Sequence, residues 1–179
     1  MEFVKIVLVS IVAAVLYGVA HDMVTAHVCV EYFTIGHPPV FRTESPTLLA
    51  LGWGVIATWW MGLALGLMVG VAARAGTRPA LGAADLLRPV GLVLACMAAL
   101  SLAAGLVGYR LAAAGVVRLF DPFASAIPKG RHTAFVADLW AHNAAYLAGA
   151  LGGITLCLLV WRRRGKLSDP AAGRTGAST

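Results

Sequence analysis

Two short segments of the chain carry residues that could bind a metal ion or relay a proton. One segment ends the first apolar run and the other begins the last one, and together they contain His21, Asp22, Asp138 and His142. Imidazole nitrogens and carboxylate oxygens are suitable ligands for zinc, iron or manganese. Three further residues are expected to support such a site: Arg110, Thr25 and Tyr146. There is no nucleotide-binding loop, nucleophile elbow or zincin motif, so the residues indicate a site without naming a substrate.

The elements that position these residues are expected to be membrane-spanning helices. The chain of 179 residues is 60% hydrophobic and only 12% charged, with a mean hydropathy of +0.83, which is more apolar than a soluble domain. In hydrocarbon every backbone polar group needs an internal partner, which leaves helices or a closed barrel. The long uninterrupted apolar runs do not alternate as barrel strands do. The sequence therefore predicts one all-α domain, an integral membrane four-helix bundle over residues 1–166.

Prolines, glycines and charges divide the chain into four predicted helices, at about 3–32, 46–73, 89–114 and 134–161. Ser45 and Pro46 form an N-cap followed by a proline at the first helical position. Pro89 is expected to begin the third helix, and Thr133 to cap the fourth. A basic cluster is expected to stop the fourth helix at the membrane surface: Arg162, Arg163, Arg164 and Lys166. Residues 167–179, rich in Ala, Gly, Ser and Thr, are predicted to form a disordered cytoplasmic tail.

The first apolar run, residues 3–20, admits two interpretations. Lys5, an apolar core and the small residues Gly18-Val19-Ala20 would fit a cleaved signal peptide. However, at about 100° per residue, small and polar residues follow one helical face from Ser10 to Tyr32. This stripe crosses the supposed cleavage site without a change of register, so we expect a retained helix.

The second predicted helix carries Gly62, Gly66 and Gly70 at four-residue spacing. Such a strip lets another helix approach closely, and it could also serve as a docking face for a second copy or another membrane protein. Trp59 and Trp60 lie near the middle of the same span, although tryptophan prefers the membrane interfaces. We expect these two rings to pack against a neighbouring helix.

Basic residues are unevenly divided between the two ends of the predicted bundle. Nine of the 14 lysines and arginines fall on the side of the termini, against five on the other side. The positive-inside rule then places both termini in the cytoplasm, an N-in/C-in topology. The net charge of +6 is accounted for by this orientation signal and by attraction to anionic lipid headgroups. Nucleic-acid binding is not expected.

All five histidines fall on the side opposite the termini. At about 1.5 Å per residue, His21 stands about 24 Å above Lys5, and His142 about 28 Å above Trp161. The two histidines thus lie at similar depth, where ionisable side chains normally face the bundle interior. We expect the first and fourth helices to be neighbours, with His21 and Asp22 facing Asp138 and His142. Arg110 could balance the two carboxylates, and a position in the first helical turn could by itself explain Asp138.

Four functions are compatible with this cluster. It could bind a divalent transition metal in the bundle core. It could hold haem b between His21 and His142, although the adjacent carboxylates fit a haem pocket poorly. It could act as a proton relay in a transporter, which would need oligomerisation to form a pathway. Finally, it could be a structural network in an accessory or assembly subunit of a membrane complex.

Residues 21–38, together with Ser45-Pro46-Thr47 and Trp59-Trp60, resemble a family of small uncharacterised four-helix proteins of the bacterial inner membrane. The resemblance covers roughly the first third of the chain. It implies a multi-pass protein of the bacterial inner membrane. It supplies neither an activity nor a catalytic residue.

The predicted topology can be checked by cysteine labelling in intact cells. Single cysteines at Ala80 and at Ser125 lie in the two loops that the positive-inside rule assigns to opposite sides. We expect a membrane-impermeant thiol reagent to label the Ser125→Cys variant and not the Ala80→Cys variant until the cells are lysed. The reverse pattern would refute the orientation.

Overall fold

The computed structural model describes residues 1–168 of the chain. Of these residues 79% are helical and none lies in a strand. The helices are α1 (Glu2–Val28), α2 (Val30–Thr34), α3 (Pro46–Ile56), α4 (Trp59–Arg74), α5 (Ala83–Ala113), α6 (Phe123–Ala126) and α7 (His132–Leu167), with a 3-10 turn at Lys129–Arg131. The predicted tail, apart from Leu167 and Ser168, lies outside the described residues.

Four helical segments are long and apolar enough to cross a membrane: Glu2–Val28, Pro46–Arg74, Ala83–Ala113 and Lys129–Leu167. Large apolar side chains cover their outer faces, and Leu16, for example, is 65% exposed in the isolated chain. Such extensive apolar surface is unfavourable in water. The all-helical architecture with four long apolar segments, predicted from composition, is confirmed.

The four segments form two hairpins that meet more loosely than each is packed internally. In the first hairpin α1 lies along α3 and α4, and in the second α5 lies along α7. The hairpins contact each other mainly through α4 with α7 and, less, through α1 with α5. Helices α1 and α7 therefore occupy opposite corners and meet only across the centre of the bundle. The expectation that they pack side by side was wrong, although their side chains do reach each other.

The glycine strip of α4 packs inside the chain. A Cβ atom built on Gly62 would lie 2.7 Å from Ile11 Cα, and one on Gly66 would lie 2.8 Å from Ser10 Cβ. Gly70 is likewise buried, against the Phe3 ring. The strip is therefore the contact surface for α1, which confirms the close packing of a helix against it.

Two spans are interrupted where the sequence predicts continuous helices. Helix α1 ends at Val28, because Cys29 adopts an extended conformation with φ −147° and ψ 91°. The second span is broken at Ala57 and Thr58, between α3 and α4. The adjoining Trp59 and Trp60 are 46% and 50% exposed, so they lie on the outer surface rather than against a neighbouring helix.

The third and fourth spans begin earlier than expected. Helix α5 begins six residues before Pro89, because two carboxylates satisfy its first amides: Asp85 accepts from Gly82 N–H and Glu2 accepts from Ala83 N–H. Helix α7 begins at His132, and Thr133 does not act as its cap. The Ser45 cap of α3 is as predicted, since its hydroxyl oxygen accepts the Leu48 N–H.

Arg164 does not face outward at the end of α7 as the basic cluster suggested. The helix continues to Leu167, and the Arg164 side chain is completely buried. Its guanidinium donates hydrogen bonds of 2.7–2.9 Å to four carbonyl oxygens, those of Ala72, Ala75, Arg78 and Pro79. These carbonyls belong to the end of α4 and the turn after it, so one side chain fixes the second hairpin to the first.

Replacing Arg164 is therefore expected to destabilise the fold. Arg164→Met leaves several buried carbonyls without donors, and each unsatisfied buried acceptor costs about 1–3 kcal/mol. Arg164→Lys should recover only part, since an ammonium cannot match the planar fork. The measurement is thermal unfolding in detergent, followed by tryptophan fluorescence.

The matched control is Arg162→Met, at an exposed arginine two residues earlier on α7. We expect it to change the unfolding temperature little. Equal effects of the two methionine variants would contradict the structural role of Arg164.

Candidate metal centre

Three of the predicted residues converge in the bundle interior. His21 and Asp22 come from α1, two turns before it ends, and His142 comes from the third turn of α7. One ligand atom from each of the three lies within 4.8 Å of the others. His142 Nε2 and Asp22 Oδ1 are 3.3 Å apart, and both side chains are buried. We call His21, Asp22 and His142 the triad.

The proton on neutral His142 can be assigned from its second contact. Nδ1 lies 2.8 Å from the Asp138 carbonyl oxygen, which can only accept, so Nδ1 carries the hydrogen. The lone pair of the neutral ring then lies on Nε2. Nε2 faces a carboxylate oxygen of Asp22, which is also an acceptor. Two acceptors in such close contact require a proton or a metal cation between them.

The same reasoning applies to His21. The Ser101 hydroxyl on α5 lies 3.0 Å from the Ala141 carbonyl oxygen, so its hydrogen is donated there. Ser101 Oγ therefore accepts from His21 Nδ1 at 3.3 Å. His21 Nε2 keeps its lone pair, and it is buried without a hydrogen-bond partner among residues 1–168. Both histidines thus present an Nε2 lone pair in the interior.

Aromatic rings fix the orientation of the His142 imidazole. The His21 ring meets it edge to face, with centroids 4.4 Å apart. The Tyr32 ring, on α2, stacks against it with centroids 4.3 Å apart. Tyr32 reaches this place because the break at Cys29 turns the chain, so that both Tyr32 and Phe33 of α2 are buried over the triad.

An ion pair holds α2 in this position. Arg131 Nε lies 2.9 and 3.0 Å from the two carboxylate oxygens of Glu31, and Arg131 Nη2 donates to the Val28 carbonyl. Burial alone would raise the pKa of Glu31, but hydrogen bonds from its own amide, from Arg131 and from Cys29 lower that pKa overall. Burial, with the neighbouring Glu31, raises the pKa of the Cys29 thiol to about 12. Cys29 is therefore a packed thiol that donates to Glu31.

The other residues that were predicted for the site lie outside the triad. The Asp138 carboxylate is buried but stands outside the triad, and its Oδ2 has no hydrogen-bond partner in the described chain. Because α7 begins at His132, Asp138 lies in the second helical turn. A position in the first turn therefore does not explain why a carboxylate occurs there. Thr25 bonds the His21 carbonyl within α1. Arg110 is exposed and takes part in none of the ion pairs of residues 1–168, so its expected role in balancing the carboxylates was wrong.

Some residues of the site were missed. Ser101 and Tyr32 orient the two histidines, and Glu31 with Arg131 holds α2 over them. Ser101 had a signal, since apart from Tyr109 it is the sole hydroxyl of the predicted third helix. The other contacts depend on the break at Cys29, which no residue pattern marks.

The triad lies on the wall of a central cavity to which all four spans contribute. Phe33 and His37 line the cavity beside the triad, and Val69 and Leu156 line its far part. Tyr146 also lines it, although that side chain is partly exposed. The wall between these ends is mainly apolar, with Met61, Leu65, Leu94 and Met97 among its residues. The triad is thus the most polar part of a largely apolar space.

Comparisons with protein-family models, with curated proteins and with solved structures found no match to the chain. The resemblance drawn from residues 21–38 stays a prediction. The chemistry of the site is therefore inferred from its own geometry.

Acidification is expected to release the Glu31–Arg131 pair. Because the pKa of Glu31 is lowered in the folded protein, the pair stabilises the fold above the unfolded value of about 4.3, and this stabilisation is lost as the pH falls through the folded pKa. Glu31→Gln should lower stability at pH 7 by about 1 kcal/mol and remove that part of the acid dependence. Unfolding temperatures between pH 7 and about pH 2.5, a range that extends well below the unfolded pKa of about 4.3, measure both effects.

Glu44→Gln is the control, since Glu44 is exposed and forms none of the ion pairs of residues 1–168. If Glu31→Gln keeps the full acid dependence of the unchanged protein, the ion pair does not hold α2.

Proposed function

We propose that the protein is a multi-pass protein of the bacterial inner membrane, with both termini cytoplasmic, that binds one divalent transition-metal ion through His21, Asp22 and His142. Four long apolar helices support membrane insertion, and the excess of basic residues on the side of the termini supports the orientation. The bacterial location rests on the resemblance of residues 21–38. The metal site rests on the geometry of the triad.

The observation that carries the metal proposal is the protonation pattern of the two imidazoles. Metal-binding histidines characteristically donate the second ring N–H to a carbonyl, carboxylate or other acceptor, which aims the free lone pair at the ion. His142 Nδ1 donates to the Asp138 carbonyl and His21 Nδ1 donates to Ser101. The ligand atoms that remain are the two Nε2 atoms and the Asp22 carboxylate, and they lie together in the bundle interior.

The distances suit such an ion. With metal–ligand bonds of about 2.0–2.1 Å, two adjacent ligands of a tetrahedral centre lie about 3.4 Å apart. The 3.3 Å between Asp22 Oδ1 and His142 Nε2 matches this spacing. His21 Nε2 has no hydrogen bond within residues 1–168 that a small rotation toward the ion would break.

Three protein ligands leave coordination positions open, as in catalytic rather than structural centres. Two histidines and one carboxylate are typical of non-haem iron(II), and they also suit zinc. The open positions would be reached from the central cavity, whose wall includes all three ligands. The bound ion would supply a Lewis acid in a largely apolar space.

A structural ion pair is the second candidate, because a protonated His142 could donate to Asp22 across the same 3.3 Å. It leaves the buried lone pair of His21 Nε2 unexplained. The haem alternative fits less well, since the two rings are in direct edge-to-face contact and no macrocycle fits between them. Neither a proton relay nor an accessory role draws support from a particular contact.

The test is the metal content of protein purified in detergent without chelators. We expect about one iron, zinc or manganese ion per chain by elemental analysis. His21→Ala and His142→Ala should abolish this content, and Ser101→Ala should weaken metal affinity about 10–100-fold by freeing the His21 ring. The measurement is a competition titration with a chelator.

The controls are His27→Ala and His132→Ala, at two histidines outside the triad. These variants should retain the ion. Protein that holds no metal and cannot be loaded, while His142→Ala lowers stability, would leave only the structural ion pair.

A further inference from the structure

The length of the central cavity can be read from the helices that line it. On α7 the lining residues run from His142 to Leu156. On α1 they run from Asp22 to Ser10. At a rise of about 1.5 Å per residue, these stretches correspond to about 21 Å and about 18 Å. The cavity therefore follows the bundle axis from the triad toward the end where Arg164 is buried.

The cavity is also narrow. The centre of a water molecule can occupy about 120 Å³ within it. Spread evenly over a length of about 20 Å, this corresponds to an average width of about 5–6 Å once the 1.4 Å radius of the water is added. A hydrocarbon chain, whose carbons contact their neighbours at about 3.5–4.0 Å, fills a cavity of this width singly. Two chains side by side, or a fused-ring skeleton, do not fit.

The polar groups along the cavity differ in whether they have a hydrogen-bond partner. Away from the triad, the Ser10 and Thr58 hydroxyls are satisfied by carbonyls of their own helices, those of Ile6 and Gly54. Near the triad, Tyr17 Oη and His21 Nε2 are buried and have no hydrogen-bond partner in residues 1–168. One of these groups can donate and the other can only accept. Together they suit a hydroxyl or a carboxyl group, which offers both roles.

We propose that the central cavity binds a single-chain amphiphile, an unbranched hydrocarbon of about 14–16 carbons ending in a hydroxyl or carboxyl group, with that group at Tyr17 and His21. The carbon number follows from the length of about 18–21 Å at about 1.2–1.3 Å per bond of an extended chain. The chain contacts the apolar wall formed by Met61, Leu65 and Met97. His21 Nε2 accepts from the head group in the metal-free protein, where its lone pair is free, so this proposal goes beyond the proposed metal site.

The experiment is native mass spectrometry of the full chain, purified in a steroid-based detergent that has no linear alkyl chain to compete. The probes are hexadecanoic acid, hexadecan-1-ol and a diacyl phosphatidylcholine, each added separately. We expect one bound molecule of the acid or of the alcohol per protein, and no specific retention of the two-chain lipid. Retention of the phospholipid alone would indicate surface lipid and overturn the proposal.

A cavity-filling variant locates the binding. Gly149 lines the cavity, and a side chain added there meets first the flexible end of Met97. Gly149→Leu should reduce binding of the preferred probe at least tenfold. The matched control is Gly91→Leu, because a Cβ at Gly91 has no heavy atom within 4 Å. Equal binding by the two variants would overturn the proposal.

Two further measurements test the proposal without a substitution, in case Gly149→Leu does not fold. In the unchanged protein, binding should be strongest near 14–16 carbons and at least tenfold weaker at 22 carbons, and the absence of any length preference would overturn the proposal. Chelator-treated protein, in which His21 Nε2 is free, should bind the chain at least as well as untreated protein does. Loss of chain binding with the metal would overturn the claim that the cavity acts without an ion.

Discussion

The two hairpins are joined at each end by buried polar side chains, and the rest of the arrangement depends on these junctions. In the membrane that we propose for this protein, apolar side chains between the ends would gain little by leaving hydrocarbon for one another, so helix association would rely on close packing and on polar contacts. Arg164 provides the junction at one end, through four carbonyls of the first hairpin. Asp22 with His142, and Ser101 with His21, provide it at the other. Each of these side chains contacts a polar group of the other hairpin, because the apolar interior offers few other partners.

The two junctions differ in how many of their buried polar atoms have a hydrogen-bond partner. Arg164 is matched by carbonyl acceptors, as a buried guanidinium must be to offset its desolvation. At the opposite junction His21 Nε2, Tyr17 Oη and Asp138 Oδ2 lack partners among residues 1–168. Buried polar groups are normally paired, and each exception requires an explanation. The fully satisfied junction is therefore structural, whereas the unsatisfied one has the character of a binding site.

Much of this architecture could be predicted from residue types and spacing. Apolar runs predicted the four spans, helical periodicity placed His21 and Asp22 on the inner face of α1, and rise per residue gave His142 a matching depth. The Ser45 cap and the close packing at Gly62 and Gly66 follow from local rules. These features depend on residues near one another in sequence, or on a repeat that a single helix maintains.

The remaining features depend on contacts between distant residues. The turn at Cys29 is held by Arg131, about a hundred positions away, and it decides that Tyr32 covers His142. Whether Arg164 faces outward depends on the carbonyls of the turn after α4, and an arginine cluster at a helix end usually lies at the surface. Asp138 shares a helical face with His142, yet its backbone carbonyl rather than its carboxylate contributes to the site. Helical periodicity gives the direction of a side chain, but the partner decides which atom is used.

The breaks in the helices and the cavity have a common physical origin. Irregular backbone is tolerated at membrane depth only where it is buried in protein or lines a cavity. Ala57 and Thr58, which interrupt the second span, are both cavity-lining residues. The space exists because the hairpins are joined at their ends and contact each other sparsely between them, with Gly149 and Gly153 contributing no side chain to fill it. An apolar cavity that leads to the triad can hold one end of a molecule by packing and the other by coordination or hydrogen bonding. The arrangement therefore selects ligands with both an apolar chain and an oxygen-bearing end, and it fixes which end meets the triad.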